Sequence, residues 1–131
     1  MIVLDTSAAV ELLLSLPLSR KVQKQLNRNQ WQIVAPQLIV VEILQVLRRR
    51  VAAGFTSLTE ADETRALLVD LDIRLYSHEL FAHRIWELRD NLSAYDARYV
   101  ALAEATEFDL LTTDRRLANT PGNHAHITVI S

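Results

Sequence analysis

The sequence predicts an α/β domain of three layers (α/β/α), in which helices cover both faces of a central, mainly parallel sheet. Short apolar runs alternate along the chain with longer segments of helical periodicity, a pattern typical of parallel strands joined by crossover helices. The 131 residues contain no internal repeat, linker or low-complexity stretch. We therefore expect one domain spanning residues 1–131.

The first half of the chain contains two predicted strands and three predicted helices. Thr6 and Ser7 offer N-cap chemistry directly after an apolar run, and Pro17 ends the helix that they begin. Pro36 suits the first turn of a long helix, and Gly54 suits its C-terminal stop. The predicted strands are residues 1–4 and 31–34, and the predicted helices are residues 6–14, 19–27 and 36–53.

The second half repeats the alternation. Thr59 and Asp62 resemble a capping box at the start of a helix, Asn91 interrupts a helical pattern, and Pro121 with Gly122 marks a turn. The predicted helices are residues 59–70, 77–91 and 94–106, and the predicted strands are residues 73–76, 110–113 and 127–130.

Four carboxylates stand in or beside apolar surroundings: Asp5, Glu42, Asp96 and Asp114. Asp5 and Asp114 close predicted strands, and ligands of open parallel sheets bind beyond the carboxyl ends of the strands. A carboxylate pressed against apolar surface loses hydration, so several of them persist together mainly when a cation or hydrogen-bond donors compensate. Such an oxygen-rich cluster suits a hard divalent metal, Mg²⁺ or Mn²⁺.

Each acid also has a structural explanation. Asp5 and Asp114 suit turns, and the charge of Asp96 is favoured in the first turn of its helix. Glu42 lies among aliphatic neighbours, where a buried ion pair with a distant arginine is the alternative. A shared cation site accounts for all four positions at once.

The charge balance limits how this chain binds nucleic acid. The formal net charge is −2, so any contact with a polyanion must be local. Arg49 follows Glu42 by seven residues, on the same helical face and roughly 10 Å along the axis. It is a candidate for binding a phosphate, as are Arg115 and Arg116, although a solvated helix end also explains an arginine at position 49.

Several other site types find no support. The chain has no cysteine, which excludes disulfides and thiolate zinc sites, and His124 and His126 have no further ligand nearby. Its two glycines provide neither a P-loop nor a dinucleotide fingerprint. The start of the chain is unlike a signal peptide and no apolar run is long enough to span a membrane, so a cytoplasmic protein is expected.

The four acidic segments together carry a family resemblance. They read Ile2-Val3-Leu4-Asp5-Thr6-Ser7, Val41-Glu42-Ile43-Leu44, Ala94-Tyr95-Asp96-Ala97 and Leu110-Leu111-Thr112-Thr113-Asp114-Arg115-Arg116-Leu117. In their order and spacing they resemble the PIN-domain ribonucleases of the VapC toxin family, the toxin half of type II (VapBC) toxin–antitoxin pairs. The resemblance covers essentially the whole chain.

The resemblance implies a PIN-like fold and Mg²⁺-dependent endonucleolytic cleavage of RNA, with Mn²⁺ able to substitute. Asp5 and Asp96 would be the leading metal ligands, and Glu42 and Asp114 would complete the acidic pocket. The hydroxyls of Thr6 and Thr113 would orient carboxylates or water. It also implies a cognate VapB-like antitoxin, whose arginine would enter the acidic pocket, and a homodimer.

Three other interpretations remain open at this point. A PIN-type nuclease could serve RNA processing without an antitoxin. A receiver-like signalling module also gathers acids around Mg²⁺, but Asp72 precedes its strand and no lysine follows Glu42. A non-catalytic interaction protein would use the acids only to receive a partner's arginines.

Overall fold

Five short strands, all parallel, form the central sheet, and seven α-helices and one 3₁₀ turn connect them. The computed structural model describes residues 1–131. The strands are β1 (Ile2–Leu4), β2 (Ile33–Pro36), β3 (Arg74–Tyr76), β4 (Asp109–Thr112) and β5 (Ile127–Val129). The helices are α1 (Thr6–Leu13), α2 (Ser19–Arg28), α3 (Ile39–Ala52), α4 (Leu58–Asp70), α5 (Ala82–Glu87), α6 (Ala94–Thr106) and α7 (Arg115–Ala118), and the 3₁₀ turn is His78–Phe81.

The strand order is β3-β2-β1-β4-β5. The chain therefore moves outward from β1 to β3 and then returns past β1 to β4, which makes the boundary between β1 and β4 the topological switch point of the sheet. Leu4 lies opposite Leu111, so both strands end at the same level. The crevice beyond this boundary is where open α/β sheets bind their ligands.

Helices cover both faces of the sheet, as the three-layer prediction requires. Because crossovers between parallel strands are right-handed, the helices that join β1, β2 and β3 lie on one face, and α5 and α6 lie on the other. In agreement, α1 packs against α2 and α3, and α6 packs across β1, β2 and β4. The apolar residues of β1 and β4 are fully buried between these layers.

Several predicted boundaries are wrong, each for a local reason. Pro36 is the last residue of β2 rather than the first turn of α3, and β2 itself lies two residues later than predicted. The capping box of α4 is made by Ser57 and Glu60, not by Thr59 and Asp62. Thr59 lies inside the helix, because Leu58 is already its first residue.

The helix predicted over residues 77–91 is shorter and interrupted. It consists of the 3₁₀ turn followed by α5, which ends at Glu87. The short helix α7, which begins directly after Asp114, was not predicted. None of the helices combines the length and the apolar character needed to cross a lipid bilayer.

Candidate functional site

Asp5 lies just beyond the end of β1 and is the N-cap of α1. Thr6 and Ser7 were predicted for that role, but the carboxylate of Asp5 accepts the hydrogen bond from the Ala8 backbone N–H at 3.0 Å. The Ser7 hydroxyl donates to the same oxygen at 2.7 Å, and the Thr112 hydroxyl donates to the other oxygen. Asp5 is only 5% exposed. Burial is the main cause that raises its pKa; the hydrogen bonds oppose this, and the charge of Asp114 adds to it.

Glu42 faces α6 from the first turn of α3. Its Oε1 accepts hydrogen bonds from Arg98 Nη2 at 2.6 Å, from the Tyr99 hydroxyl at 2.8 Å and from the Thr6 hydroxyl at 3.2 Å. The alternative of an ion pair with a distant arginine is therefore confirmed, although only Arg98 is buried and Glu42 is half-buried. The Thr6 hydroxyl does contact a carboxylate, as expected, and it joins α1 to α3 at the mouth of the site.

Asp96 lies in the first turn of α6, whose N-cap is Ser93. Burial is the largest cause that raises the pKa of Asp96, and the carboxylates of Asp114 and Glu42 raise it further. The guanidinium of Arg116 and the hydroxyl of Ser93 act in the opposite direction. Asp96 therefore lies near enough to Asp114, Glu42 and Arg116 for their charges to affect its ionisation.

Asp114 is the N-cap of α7, so the prediction that Asp114 suits a turn is confirmed. Its carboxylate accepts hydrogen bonds from Arg116 Nη2 at 2.6 Å and from Arg116 Nε at 3.1 Å. This pairing is the main cause that lowers the pKa of Asp114. The carboxylate thus stays ionised beside Asp5 and Asp96.

The four acids share one region, but no three acidic or histidine side chains come close enough to enclose a metal ion in this arrangement. Arginines engage two of the acids, Glu42 and Asp114. Asp5 and Asp96 have no such partner, and desolvation disfavours their charged forms. Carboxylate and hydroxyl oxygens are the donors that Mg²⁺ and Mn²⁺ prefer, so the chemistry of this site fits a hard divalent cation.

One supporting residue differs from the prediction. Thr112, not Thr113, carries the hydroxyl that binds Asp5, and it also accepts a hydrogen bond from the Asp114 backbone N–H at 3.0 Å. Thr113 contributes only its backbone N–H, which donates to the Ser7 hydroxyl at 3.0 Å. Consecutive strand residues point to opposite faces, so an error of one position exchanges the two side chains.

Sequence reasoning also missed Ser7, Tyr99 and Arg98 as contributors to the site. Arg98 had a detectable signal, because it stands in the otherwise apolar and buried run from Ala97 to Ala103. A buried arginine requires an acid, and Glu42 was the acid without a local explanation.

The arginines predicted to bind RNA occupy two places. Arg115 and Arg116 line a cleft of about 580 Å³ that also includes Ser93 and Asp96. Arg49 lies in the last turn of α3 and is exposed. The structure therefore places the two later arginines beside the acids and Arg49 farther along α3.

Comparison with known proteins identifies the family. A family model described as "PIN domain" matches residues 2–123. The chain belongs to the PIN-domain family. Ribonuclease VapC12 of Mycobacterium tuberculosis is 34% identical over 131 residues, which is 100% of both chains. A VapC ribonuclease of Mycobacterium bovis is 42% identical over 132 residues, covering 99% of this chain and 98% of the relative.

Solved structures agree on the fold of this PIN domain. VapBC2 from Rickettsia felis, bound to a DNA fragment from their promoter, aligns with a TM-score of 0.74 at 15% identity, and 100% of both chains is covered. A protein from Pyrobaculum aerophilum aligns with a TM-score of 0.68 at 21% identity, covering 96% of this chain and 81% of the other.

These matches confirm the family and the fold class that the sequence predicted. The strand order of the sheet decides against the receiver-like module. Flavodoxin-like receivers have the strand order 2-1-3-4-5, whereas this sheet has the order β3-β2-β1-β4-β5.

Proposed function

We propose that this PIN domain is a divalent-metal-dependent endoribonuclease that hydrolyses RNA phosphodiester bonds, and that it is the toxin of a toxin–antitoxin pair. The observation that carries the proposal is an acidic region built from Asp5 and Asp114 at the switch point of the sheet, with Asp96 near the charges of Asp114 and Glu42. The chain's relatives, covered along nearly their whole length, are named VapC ribonucleases.

Asp5 and Asp96 are the proposed principal ligands of Mg²⁺, with Mn²⁺ as a substitute. Both carboxylates are desolvated and lie near the charge of Asp114, so a bound cation would stabilise the charged form of each. Glu42 and Asp114 complete the acidic pocket. A bound cation would supply a water of lowered pKa for in-line attack and would offset charge on the phosphoryl oxygens.

The chain's own residues do the positioning. The hydroxyls of Ser7 and Thr112 fix both oxygens of Asp5, so its carboxylate cannot rotate freely. The hydroxyls of Thr6 and Tyr99 and the guanidinium of Arg98 hold one oxygen of Glu42, Oε1. Burial raises the pKa of Tyr99, which keeps its hydroxyl protonated as a donor to Glu42.

Arg115 and Arg116 are the proposed contacts to the RNA backbone at the rim. The side chain of Arg116 is 81% exposed although it is paired with Asp114, so it can exchange that carboxylate for a phosphate. Arg49 is the proposed contact to a phosphate farther along the strand.

A VapB-like antitoxin is the proposed protein partner. An antitoxin arginine inserted among the acids would compete with the cation, just as Arg98 and Arg116 already pair with Glu42 and Asp114. The action is proposed to be cytoplasmic, and the homodimer remains a prediction. An RNA-processing PIN nuclease without an antitoxin is the alternative, and a small DNA-binding protein encoded next to this gene would decide against it.

Cleavage of single-stranded RNA by the purified protein tests the proposal. We expect cleavage with Mg²⁺ or Mn²⁺, none with EDTA, and a loss of at least about 100-fold in Asp5→Asn and Asp96→Asn, since each substitution removes a charged ligand. The exposed Asp70→Asn variant, altered outside the site, is the matched control and should cleave like the wild type.

Two results would contradict the proposal. One is full cleavage by a folded Asp96→Asn protein. The other is wild-type cleavage that EDTA does not reduce. Circular dichroism of each variant separates a loss of chemistry from a loss of folding.

A further inference from the structure

A second depression lies beside the acidic site, where the 3₁₀ turn and α5 meet the first turn of α6. Its volume is about 390 Å³ and its lining is mostly apolar, including Ile85, Trp86 and Tyr95. We call it the aromatic groove. Its basic lining residues are His78, Arg89 and Arg98, and neither aspartate nor glutamate lines it.

Two large aromatic rings in this groove are left open to solvent. Trp86 is 66% exposed and Tyr95 is 64% exposed. The Arg89 guanidinium carbon lies 4.7 Å from the centre of the Trp86 ring, and that of Arg98 lies 5.7 Å from the centre of the Tyr95 ring. Exposed aromatic rings next to arginines are the usual surface on which unpaired nucleobases stack.

Arg98 adds an independent observation that points to a ligand. It is only 4% exposed, yet its Nε and Nη1 atoms are buried without a hydrogen-bond partner. Unpartnered buried donors are costly, and those of a guanidinium require an acceptor oxygen or nitrogen. The remaining nitrogen, Nη2, binds Glu42, so Arg98 joins the aromatic groove to the acidic site.

We propose that the aromatic groove binds one nucleotide of single-stranded RNA next to the scissile phosphate. The base stacks on Trp86 or Tyr95, a base or sugar oxygen accepts hydrogen bonds from Arg98, and Arg89 holds the adjoining phosphate. The inference rests on the proposed function. Charge favours this occupant, because the chain has a net charge of −2 while every charged group of the groove is basic.

Tryptophan emission tests the stacking contact directly. The chain has two tryptophans, so a Trp31→Phe protein reports on Trp86 alone. We expect a pool of mixed-sequence, single-stranded oligoribonucleotides to quench this emission in stopped-flow mixing with Mg²⁺. Inorganic polyphosphate, which carries charge but no base, should leave the emission unchanged. Equal quenching by the two probes, or none by RNA, would overturn the subsite.

Cleavage kinetics provide the second readout. Trp86→Ala and Tyr95→Ala should each lower kcat/KM by about 5- to 150-fold, the usual range for loss of one base–aromatic stack, mainly through a higher KM. Phe55→Ala is the matched control, because Phe55 is 74% exposed and lies near Arg50 but does not line the groove. It should leave KM unchanged.

Failure of this inference is distinguishable from failure of the proposed function. If the two groove variants cleave with wild-type KM while Asp96→Asn is inactive, the proposed subsite is wrong, whereas the proposed ribonuclease activity is supported. If the variants lose only antitoxin binding or self-association, the groove serves a protein and the subsite is again wrong. If the wild type does not cleave RNA at all, the proposed function fails, and the emission experiment still decides whether RNA enters the groove.

Discussion

At the scale of single residues, the site depends on hydroxyl groups that hold carboxylates in place. Asp5 shows this most clearly, because it is nearly fully buried and receives donors from Ser7, Ala8 and Thr112. A buried carboxylate left without one of its donors bears a desolvation cost of about 1–3 kcal/mol.

Thr112→Val removes the hydroxyl while preserving the shape of the side chain. We expect a loss of about 10- to 100-fold in metal affinity or in kcat/KM, the usual cost of removing a group that orients a ligand. Thr112→Ser keeps the hydroxyl and should retain most of the activity. Calorimetric metal titration and cleavage assays measure the two effects, and a Thr112→Val protein equal to the wild type in both would show that Asp5 needs no such support.

The raised pKa of Asp96 predicts a pH-dependent stability of the metal-free protein. Because the folded state binds this proton more tightly than the unfolded state, ionised Asp96 destabilises the fold at pH values above its folded pKa. In EDTA, Asp96→Asn should therefore raise Tm at neutral pH, and its advantage should vanish as the pH falls below the unfolded-state pKa of aspartate. Calorimetric scans across this pH range test it; a lower Tm for Asp96→Asn at pH 7 would contradict the assignment.

Residue identities were predictable where a pattern fixes them locally. Asp5 and Asp114 follow apolar strands and fall at the switch point, as expected. The pairing of Glu42 with Arg98 was not predictable from a local pattern, because Arg98 is 56 positions away and only the tertiary fold brings the two side chains together. The sequence predicts Thr113 in place of Thr112 because the predicted end of β4 lies one residue beyond the observed end at Thr112.

At the scale of elements, helix N-termini set the positions of the acids. Ser57 caps α4 and Ser93 caps α6 in the same way, each hydroxyl accepting from a backbone N–H three residues later, at 3.0 Å and 3.2 Å. The first cap lies away from the site, whereas the second fixes the turn that carries Asp96.

Ser57→Ala and Ser93→Ala therefore form a matched pair. Each should lower the free energy of unfolding by about 1 kcal/mol, since each loses one cap. Only Ser93→Ala should also lower cleavage activity, because its helix start positions Asp96. Urea unfolding and RNA cleavage measure the two effects, and an equal activity loss in both variants would mean that stability alone controls the activity.

Element boundaries were predictable to within a few residues, and the failures share a cause. Thr59 and Ser57 are both adequate caps, and the conformation of the preceding loop decides which of them caps the helix. The break between the 3₁₀ turn and α5 has no proline or glycine to mark it. These details depend on tertiary packing rather than on local propensity.

At the scale of the whole molecule, the strand order reverses between β1 and β4, although all strands are parallel. This reversal gathers acids from distant parts of a chain with a net negative charge. Two of these acids are already paired with the protein's own arginines, and two are not. The resulting pocket repels RNA until a cation enters it, so RNA binding and metal binding are expected to be coupled.

The decisive measurement is a calorimetric titration of Mn²⁺ into the antitoxin-free protein. We expect saturable binding to the wild type and to Asp70→Asn, and loss of that binding in Asp5→Asn and in Asp96→Asn. Wild-type binding that survives in both of the latter variants, or a wild type that binds no Mn²⁺ or Mg²⁺ yet cleaves RNA, would contradict it.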